Sequence, residues 1–290
     1  MSDNLQFIVT GLTTGSVYAL VGLGIVLVHQ VTGIINFAQG DFVMLGALTF
    51  ALLSEKGLAL LPGVLVALAI TVAVGVLVER LAIAPARSAT IERLIILTIG
   101  ASITIQGITL VVIGTNPHFA DPFTSGPPLR IGDVVVLRQY LWVFAVTAVV
   151  VVALWFFLTR TLTGKAMRAA ATNRDAARIV AISPSRMSLL AFVLAALLGG
   201  VGGVVLAPLQ APSAGIGIAL GLKGFTAAVL GGLDSPSGAV VGGLAIGVIE
   251  SVAAGYLPSG YKDAIAFGLL FAVLLLRPQG LLRRASAVRV

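Results

Sequence analysis

The chain has 290 residues, 58% of them hydrophobic and 10% charged, with a formal net charge of +7 and a mean hydropathy of +1.10. An average soluble domain carries about 25% charged residues, so a chain this apolar cannot cover a water-facing surface, and lipid must be the solvent for most of it. The absence of cysteine excludes a disulfide framework and a thiolate metal site.

A helix needs about 20 apolar residues to cross the hydrocarbon core, whereas barrel strands alternate apolar and polar residues over about ten. The uncharged runs here do not alternate, so the fold class is all-α: one polytopic transmembrane helical bundle over residues 1–290. Met1-Ser2-Asp3-Asn4 carries no basic residue, and no small-residue cleavage signature follows the first apolar run. Leu5–Val28 therefore reads as a retained span rather than a removed signal peptide. Two further spans follow, near Ile34–Leu53 and Gly57–Val78. Thirteen of the 18 Lys and Arg fall in three segments, Glu79–Arg93, Thr159–Met187 and Arg277–Val290. Basic residues spaced between apolar spans follow the positive-inside rule, which argues against a nucleic-acid surface and makes these segments cytoplasmic.

Leu94–Ile113 and Gln139–Leu158 then form an out-and-back pair around an external loop at 114–138. That loop carries Asn116-Pro117, Asp121-Pro122 and Pro127-Pro128, which are turn signals, and Asp133–Leu137 fits a short strand. The cytoplasmic loop at 159–187 is basic and Ala-rich, which favours a helix over Lys165–Ser183. Ser183-Pro184 supplies an N-cap and first-turn pair for the next span. An interfacial helix on anionic lipid and a docking element for a soluble partner both fit this pattern. Four crossings complete the chain: Ser188–Ala207, Ile218–Gly232, Gly238–Ala254 and Lys262–Leu276. The total is about nine crossings, or eight if one segment is re-entrant. The N-terminus is then outside and the C-terminus cytoplasmic.

Glycine occupies 34 positions, against a typical share of about 7%. The pairs Gly11/Gly15, Gly199/Gly203, Gly217/Gly221 and Gly243/Gly247 each lie one turn apart, which allows close helix packing. Gly40–Ala47 faintly echoes Gly224–Gly232, and in this topology the two copies run in opposite directions. Two inverted halves with short, broken helices lining a pathway are a transporter signature.

Chemistry-bearing patterns are sparse. GxSxG, HExxH and GxxxxGK[ST] are absent, so no catalytic residue and no metal site is assigned. An energy source in ATP would require another chain. Asn36, Gln39 and Asp41 gather at the start of one apolar span, and Lys223, Phe225 and Thr226 at the start of another. A charge at membrane depth costs roughly 2.5–3.5 kcal/mol on insertion scales, so Asp41 and Lys223 should lie at an interface, in an ion pair or in a watery cavity.

These residues carry a resemblance. Gly33-Ile34-Ile35-Asn36-Phe37-Ala38-Gln39-Gly40-Asp41, with Lys223-Gly224-Phe225-Thr226-Ala227 and Ser235-Pro236-Ser237-Gly238, resembles the signatures of branched-chain amino acid ABC transporter permeases. The tail Arg277-Pro278-Gln279-Gly280-Leu281 is similar too. Chain length favours the shorter, LivH-like type over the longer, LivM-like one. The resemblance implies a permease subunit of an importer for branched-chain or neutral amino acids, or for urea and short amides. It also implies a LivM-like second permease, two ATPase subunits that bind the ATP and magnesium, an extracytoplasmic solute-binding protein, and a bacterial inner membrane. By the same resemblance, Asn36, Gln39, Asp41, Lys223, Phe225 and Thr226 are expected near the pathway. Arg168, Asn173, Arg174, Asp175 and Arg178 are expected to contact the ATPase through a coupling helix. Where the family carries Gly-Ile this chain has Ala181-Ile182, and alanine tolerates positive φ poorly. The rival reading is a secondary transporter coupled to protons or sodium, which calls for buried carboxylates in mid-span. A channel would need a selectivity filter, and none is visible.

Overall fold

The computed structural model describes residues 2–86, 89–258 and 261–276. In chain order the helices are α1 (Ser2–Thr32), α2 (Gln39–Glu55), α3 (Leu60–Leu77), α4 (Ile91–Ile113), α5 (Arg138–Arg160), α6 (Leu162–Thr172), α7 (Arg174–Ile179), α8 (Pro184–Leu206), α9 (Ile216–Gly231), α10 (Pro236–Tyr256) and α11 (Lys262–Leu276). Two short strands, β1 (Leu129–Ile131) and β2 (Val134–Val136), pair antiparallel before α5, as the Val run at 134–136 leads one to expect. Among the described residues, six helices are long and apolar enough to cross a membrane, while α2, α9 and α11 are shorter. Each of the apolar segments read from the sequence is a helix, which makes this a polytopic helical membrane protein.

The packing is graded from inside to outside. α1 and α2 form the centre, with every residue from Gln39 to Leu48 buried. α3, α4 and α5 instead leave most of their apolar side chains exposed, including Ile96, Ile103, Val111, Val149 and Phe156. In a membrane those faces meet acyl chains. The glycine pairs sit where helices touch most closely. A Cβ at Gly11 or Gly247 would fall 2.3–2.6 Å from backbone of the facing helix, so α1 and α10 meet main chain to main chain. Gly199 and Gly203 give α2 the same access to α8, and Gly217 and Gly221 give it access to α9.

Contacts sort the connections into two ends. At one end, the side-chain amide of Gln6 donates to Val135 O at 3.0 Å and accepts from Val135 N at 2.8 Å. There too Glu55 bonds His118, and Tyr256 bonds Asn4. At the other end, Gln30 Nε2 donates to Asp234 O at 2.7 Å, which joins the end of α1 to the α9–α10 turn. Arg174 of α7 reaches the same end of α1.

Three boundaries differ from the sequence reading. The span expected at Ile34–Leu53 becomes helical only at Gln39, because Gly33 (φ +77°) ends α1 and Asn36 Oδ1 accepts from Ala38 N at 3.1 Å. A short polar side chain bonding its own backbone competes with helix in this way. The helix expected over Lys165–Ser183 is two helices. Asn173 is extended (φ −157°), and its carboxamide caps α7 by accepting from Asp175 N and Ala176 N at 3.0 Å. The segment beginning at Glu79 does not open a loop. The α3 helix continues as a π-helix over Val78–Ile83, and Glu79 is fully buried. Ser183 caps α8 with Pro184 in its first turn, as expected. Ala181 does adopt a left-handed turn, at φ 59°. The Arg277–Leu281 motif lies outside the described residues.

Candidate functional site

The signature at the start of α2 folds into a buried polar knot. Because residues 33–38 are not helical, they run back into the bundle and α2 starts inside it. The side chain of Gln39 lies against Gly24 of α1, about 12 Å before the end of that helix at 1.5 Å per residue. Gln39 Nε2 donates to Ala195 O of α8 at 2.9 Å. Thr98 of α4 ties down the irregular strand of chain, accepting from Phe37 N and donating to a backbone carbonyl. Asp41 Oδ1 accepts from Gln106 Nε2 at 2.7 Å, and the same amide nitrogen lies 3.1 Å from Ser102 Oγ.

Asn36, Gln39 and Asp41 are each at most 1% exposed, yet Asn36 Nδ2, Gln39 Oε1 and Asp41 Oδ2 have no hydrogen-bond partner among the described residues. A buried polar group without a partner costs about 1–3 kcal/mol. Three within six residues is a cost that folding alone gives no reason to keep. These atoms could take up a polar solute, water or a partner presented in another conformation.

Facing this knot is α9. Gly40 rests on the backbone of Gly217 and Gly221, and Phe37 meets Phe225 at 5.9 Å between ring centroids. The order of these contacts makes α2 and α9 antiparallel. Of the residues expected near a pathway, Asn36, Gln39, Asp41 and half-buried Phe225 therefore come together. Thr226 is fully buried, and its hydroxyl donates back to Leu222 O. Lys223 turns away to the other face of α9. Its Nζ lies 2.6 Å from Glu250 Oε1 on α10 and 5.6 Å from the centre of the Tyr18 ring on α1. Of the three settings expected for Lys223, an interface, an ion pair or a watery cavity, the structure shows an ion pair, with Glu250 as the partner.

Sequence reasoning found the span of α4 but missed its polar face. Thr98, Ser102 and Gln106 recur every four residues, with Thr109 beyond them, on an otherwise apolar helix, and the first two are buried. That polar stripe at helical spacing was a readable signal. Glu79 was missed as a buried group, since a charge after an apolar run reads as the end of a span.

At the end of the fold where α1 stops, the residues expected to couple to an ATPase divide by role. Asn173 is the cap of α7, and Asp175 pairs with Arg178 at 3.2 Å on the exposed surface. Arg174 Nη2 donates to Val31 O at 2.7 Å, with Nε at 3.2 Å, so this guanidinium fastens α7 to α1. Arg168 is exposed on α6. Beyond them Ile179 and Val180 are 86% and 66% exposed, an apolar tip on an otherwise polar element. No cluster of three or more His, Asp or Glu occurs among the described residues.

Comparison with known proteins agrees with this architecture. The family described as "Branched-chain amino acid transport system / permease component" matches residues 7–274. The chain is 36% identical to the high-affinity branched-chain amino acid transport system permease protein BraD of Pseudomonas aeruginosa, across 99% of this chain and 98% of that one. It is 33% identical to the corresponding LivH protein of Escherichia coli K12, across 99% and 97%. Among solved structures, PsaBC from Streptococcus pneumoniae in complex with Fab aligns with a TM-score of 0.54 at 14% identity, over 95% of this chain and 92% of that one. That last likeness speaks to the fold alone. With a match along nearly its whole length, and with its two signature segments brought against each other, the chain belongs to the branched-chain amino acid transport permease family.

Proposed function

We propose that this chain is a membrane-spanning permease subunit of an ABC importer that moves branched-chain or other neutral amino acids, or related small solutes such as urea and amides. The observation that carries this reading is the polar knot of Asn36, Gln39 and Asp41, buried with unpartnered atoms at the start of a helix that begins inside the bundle. Discontinuous helices with polar ends at membrane depth are how transporters present groups to a solute. The antiparallel contact of α2 with α9 supports two inverted halves meeting at that point, and the alternation of connections between two ends supports nine segments. The α6–α7 end is then cytoplasmic and the β1–β2 end external, in a bacterial inner membrane.

The sequence carries no GxxxxGK[ST] motif, so in this reading two ATPase subunits bind ATP and magnesium, with a LivM-like permease and a solute-binding protein completing the assembly. In this scheme the exposed tip Ile179-Val180, with Arg178 and Asp175 on the same short helix, docks on an ATPase. Arg168 faces a cleft between α5 and the α9–α10 turn and is left out of that contact. Arg174 carries the movement to the end of α1, and residues 33–38 pass it to α2. Alternating access follows from rocking α2 against α9.

Co-reconstitution of the full complex in liposomes tests the reading. ATP-dependent leucine uptake is expected, falling about tenfold with Asp41→Asn if the carboxylate meets the solute, a loss equivalent to ~1.4 kcal/mol. The buried carboxylates Asp41, Glu79 and Glu250 favour one other reading, ion-coupled transport. Uptake by the purified chain alone, under a proton or sodium gradient, would establish that instead.

A further inference from the structure

A cleft of about 610 Å³ opens at the α6–α7 end, between α1, α5, α6 and the α9–α10 turn. Its wall is apolar: Leu23 of α1, Val151, Leu154, Trp155 and Leu158 of α5, and Val240 of α10. Its mouth is polar, formed by Gln30, Thr159, Arg168, Thr172, Asp234 and Ser237. From Thr159 to Val151 the wall extends about 12 Å along α5. Trp155 is 58% exposed, and the neighbouring Val149, Val152 and Phe156 continue the apolar surface onto the outer face of α5. The cleft is thus continuous with the surface that meets acyl chains. Its volume is several times that of a branched-chain amino acid.

The polar groups at the mouth are specific in kind. Arg168 and Asp234 are the charged side chains lining the cleft. Asp234 is 95% exposed, and His29 Nδ1 lies 3.9 Å from its carboxylate. Thr159 Oγ1 donates to Trp155 O, and Thr172 Oγ1 donates to Arg168 O. With those hydrogens spent, both hydroxyl oxygens offer lone pairs only. Beside Gln30 and Ser237, the mouth therefore presents a cation for a phosphate, Arg168, and acceptor oxygens for N–H donors on Thr159, Thr172 and Asp234. An anionic headgroup without an amine would meet the Asp234 carboxylate unfavourably, and a choline headgroup has no N–H to give.

We propose that this cleft binds an aminophospholipid of the leaflet on the α6–α7 side, its phosphate on Arg168, its ammonium on Asp234 and an acyl chain along Leu154, Trp155 and Val240. The inference depends on the membrane-embedded fold and not on the transported solute. Native mass spectrometry of the full transporter complex, offered an equal mixture of phosphatidylethanolamine, phosphatidylcholine and phosphatidylglycerol with identical chains, tests it. Phosphatidylethanolamine should be retained about tenfold over the other two, the scale of one charge-assisted contact. Arg168→Ala and Asp234→Asn should each abolish the preference, and both side chains are exposed, so folding is not at stake. Phosphatidylethanolamine with a photoreactive acyl chain should label peptides containing Leu154–Leu158 and Val240. Equal retention of the three lipids, or labelling spread evenly over α4, would overturn the assignment. Displacement of the lipid by free leucine would also overturn it and make the cleft a solute vestibule.

Discussion

Lys223 and Glu250 form the tightest ion pair among the described residues, at 2.6 Å with both side chains nearly inaccessible. A buried charge whose partner is removed costs about 3–5 kcal/mol, whereas replacing both members with apolar groups is often neutral or stabilising. Lys223→Met should therefore lower the melting temperature of the purified complex strongly, and Lys223→Met with Glu250→Leu should recover most of that loss. Equal melting temperatures for the single variant and the parent would refute the pairing. That Lys223 must find an interface, a partner or water was legible from its position, since an isolated charge at that depth is costly. The partner itself was not, because nothing in a linear pattern reports which residue of α10 faces α9. Asp41 teaches the same lesson: its position in an apolar run marked it as special, but Gln106 lies 65 residues away.

Between elements, glycine decides how near two helices come. Gly247→Ala would place a methyl carbon 2.3–2.4 Å from backbone atoms of Gly11 and Gly15, where neither helix can yield by rotating a side chain. Overpacking of this sort costs about 1–3 kcal/mol. Gly107→Ala on α4 meets nothing within 4 Å and should be neutral or stabilising by up to ~1 kcal/mol through helix propensity. Thermal unfolding of the two variants in one detergent checks the contrast, and equal destabilisation would refute the close-packed seam. The loop between α4 and α5 is anchored differently. Beyond the apolar run of α2, the Glu55 carboxylate accepts from Phe119 N at 2.8 Å and pairs with His118. Those partners hold its pKa below the usual 4.5. A depressed carboxylate contributes stability above its unfolded pKa and loses it as pH falls through the folded value. Hydrogen exchange at residues 115–123 should accordingly rise as the medium is acidified below about pH 4.5, and Glu55→Gln should blunt that response. Element identity was readable because apolar runs of this length have one stable form in lipid. Boundaries were less so: the breaks at Gly33–Ala38 and Asn173 come from local side-chain bonds that a count of apolar residues does not register.

For the molecule as a whole, the alternation of connections between two ends implies a topology that chemistry can read directly, since the chain has no cysteine of its own. A thiol reagent that cannot cross membranes should label Ser125→Cys, in the loop after α4, in cells with a permeabilised outer membrane. Ala176→Cys, on exposed α7, should react only after the inner membrane is opened. Labelling of Ala176→Cys first would invert the arrangement and detach α6 and α7 from any cytoplasmic partner. The basic residues at 159–187 made this side assignment possible from sequence. The interior position of the α2 start did not follow from them, because it depends on how far residues 33–38 fold back along α1. One further property follows from the contact of Gly40 with Gly217 and Gly221. Surfaces that touch through bare main chain have no teeth to disengage, so a small sliding of one rod past the other requires no rotamer to jump. The junction that brings the two signature segments together is in that sense a bearing, while the salt link one face away acts as its fixed pin.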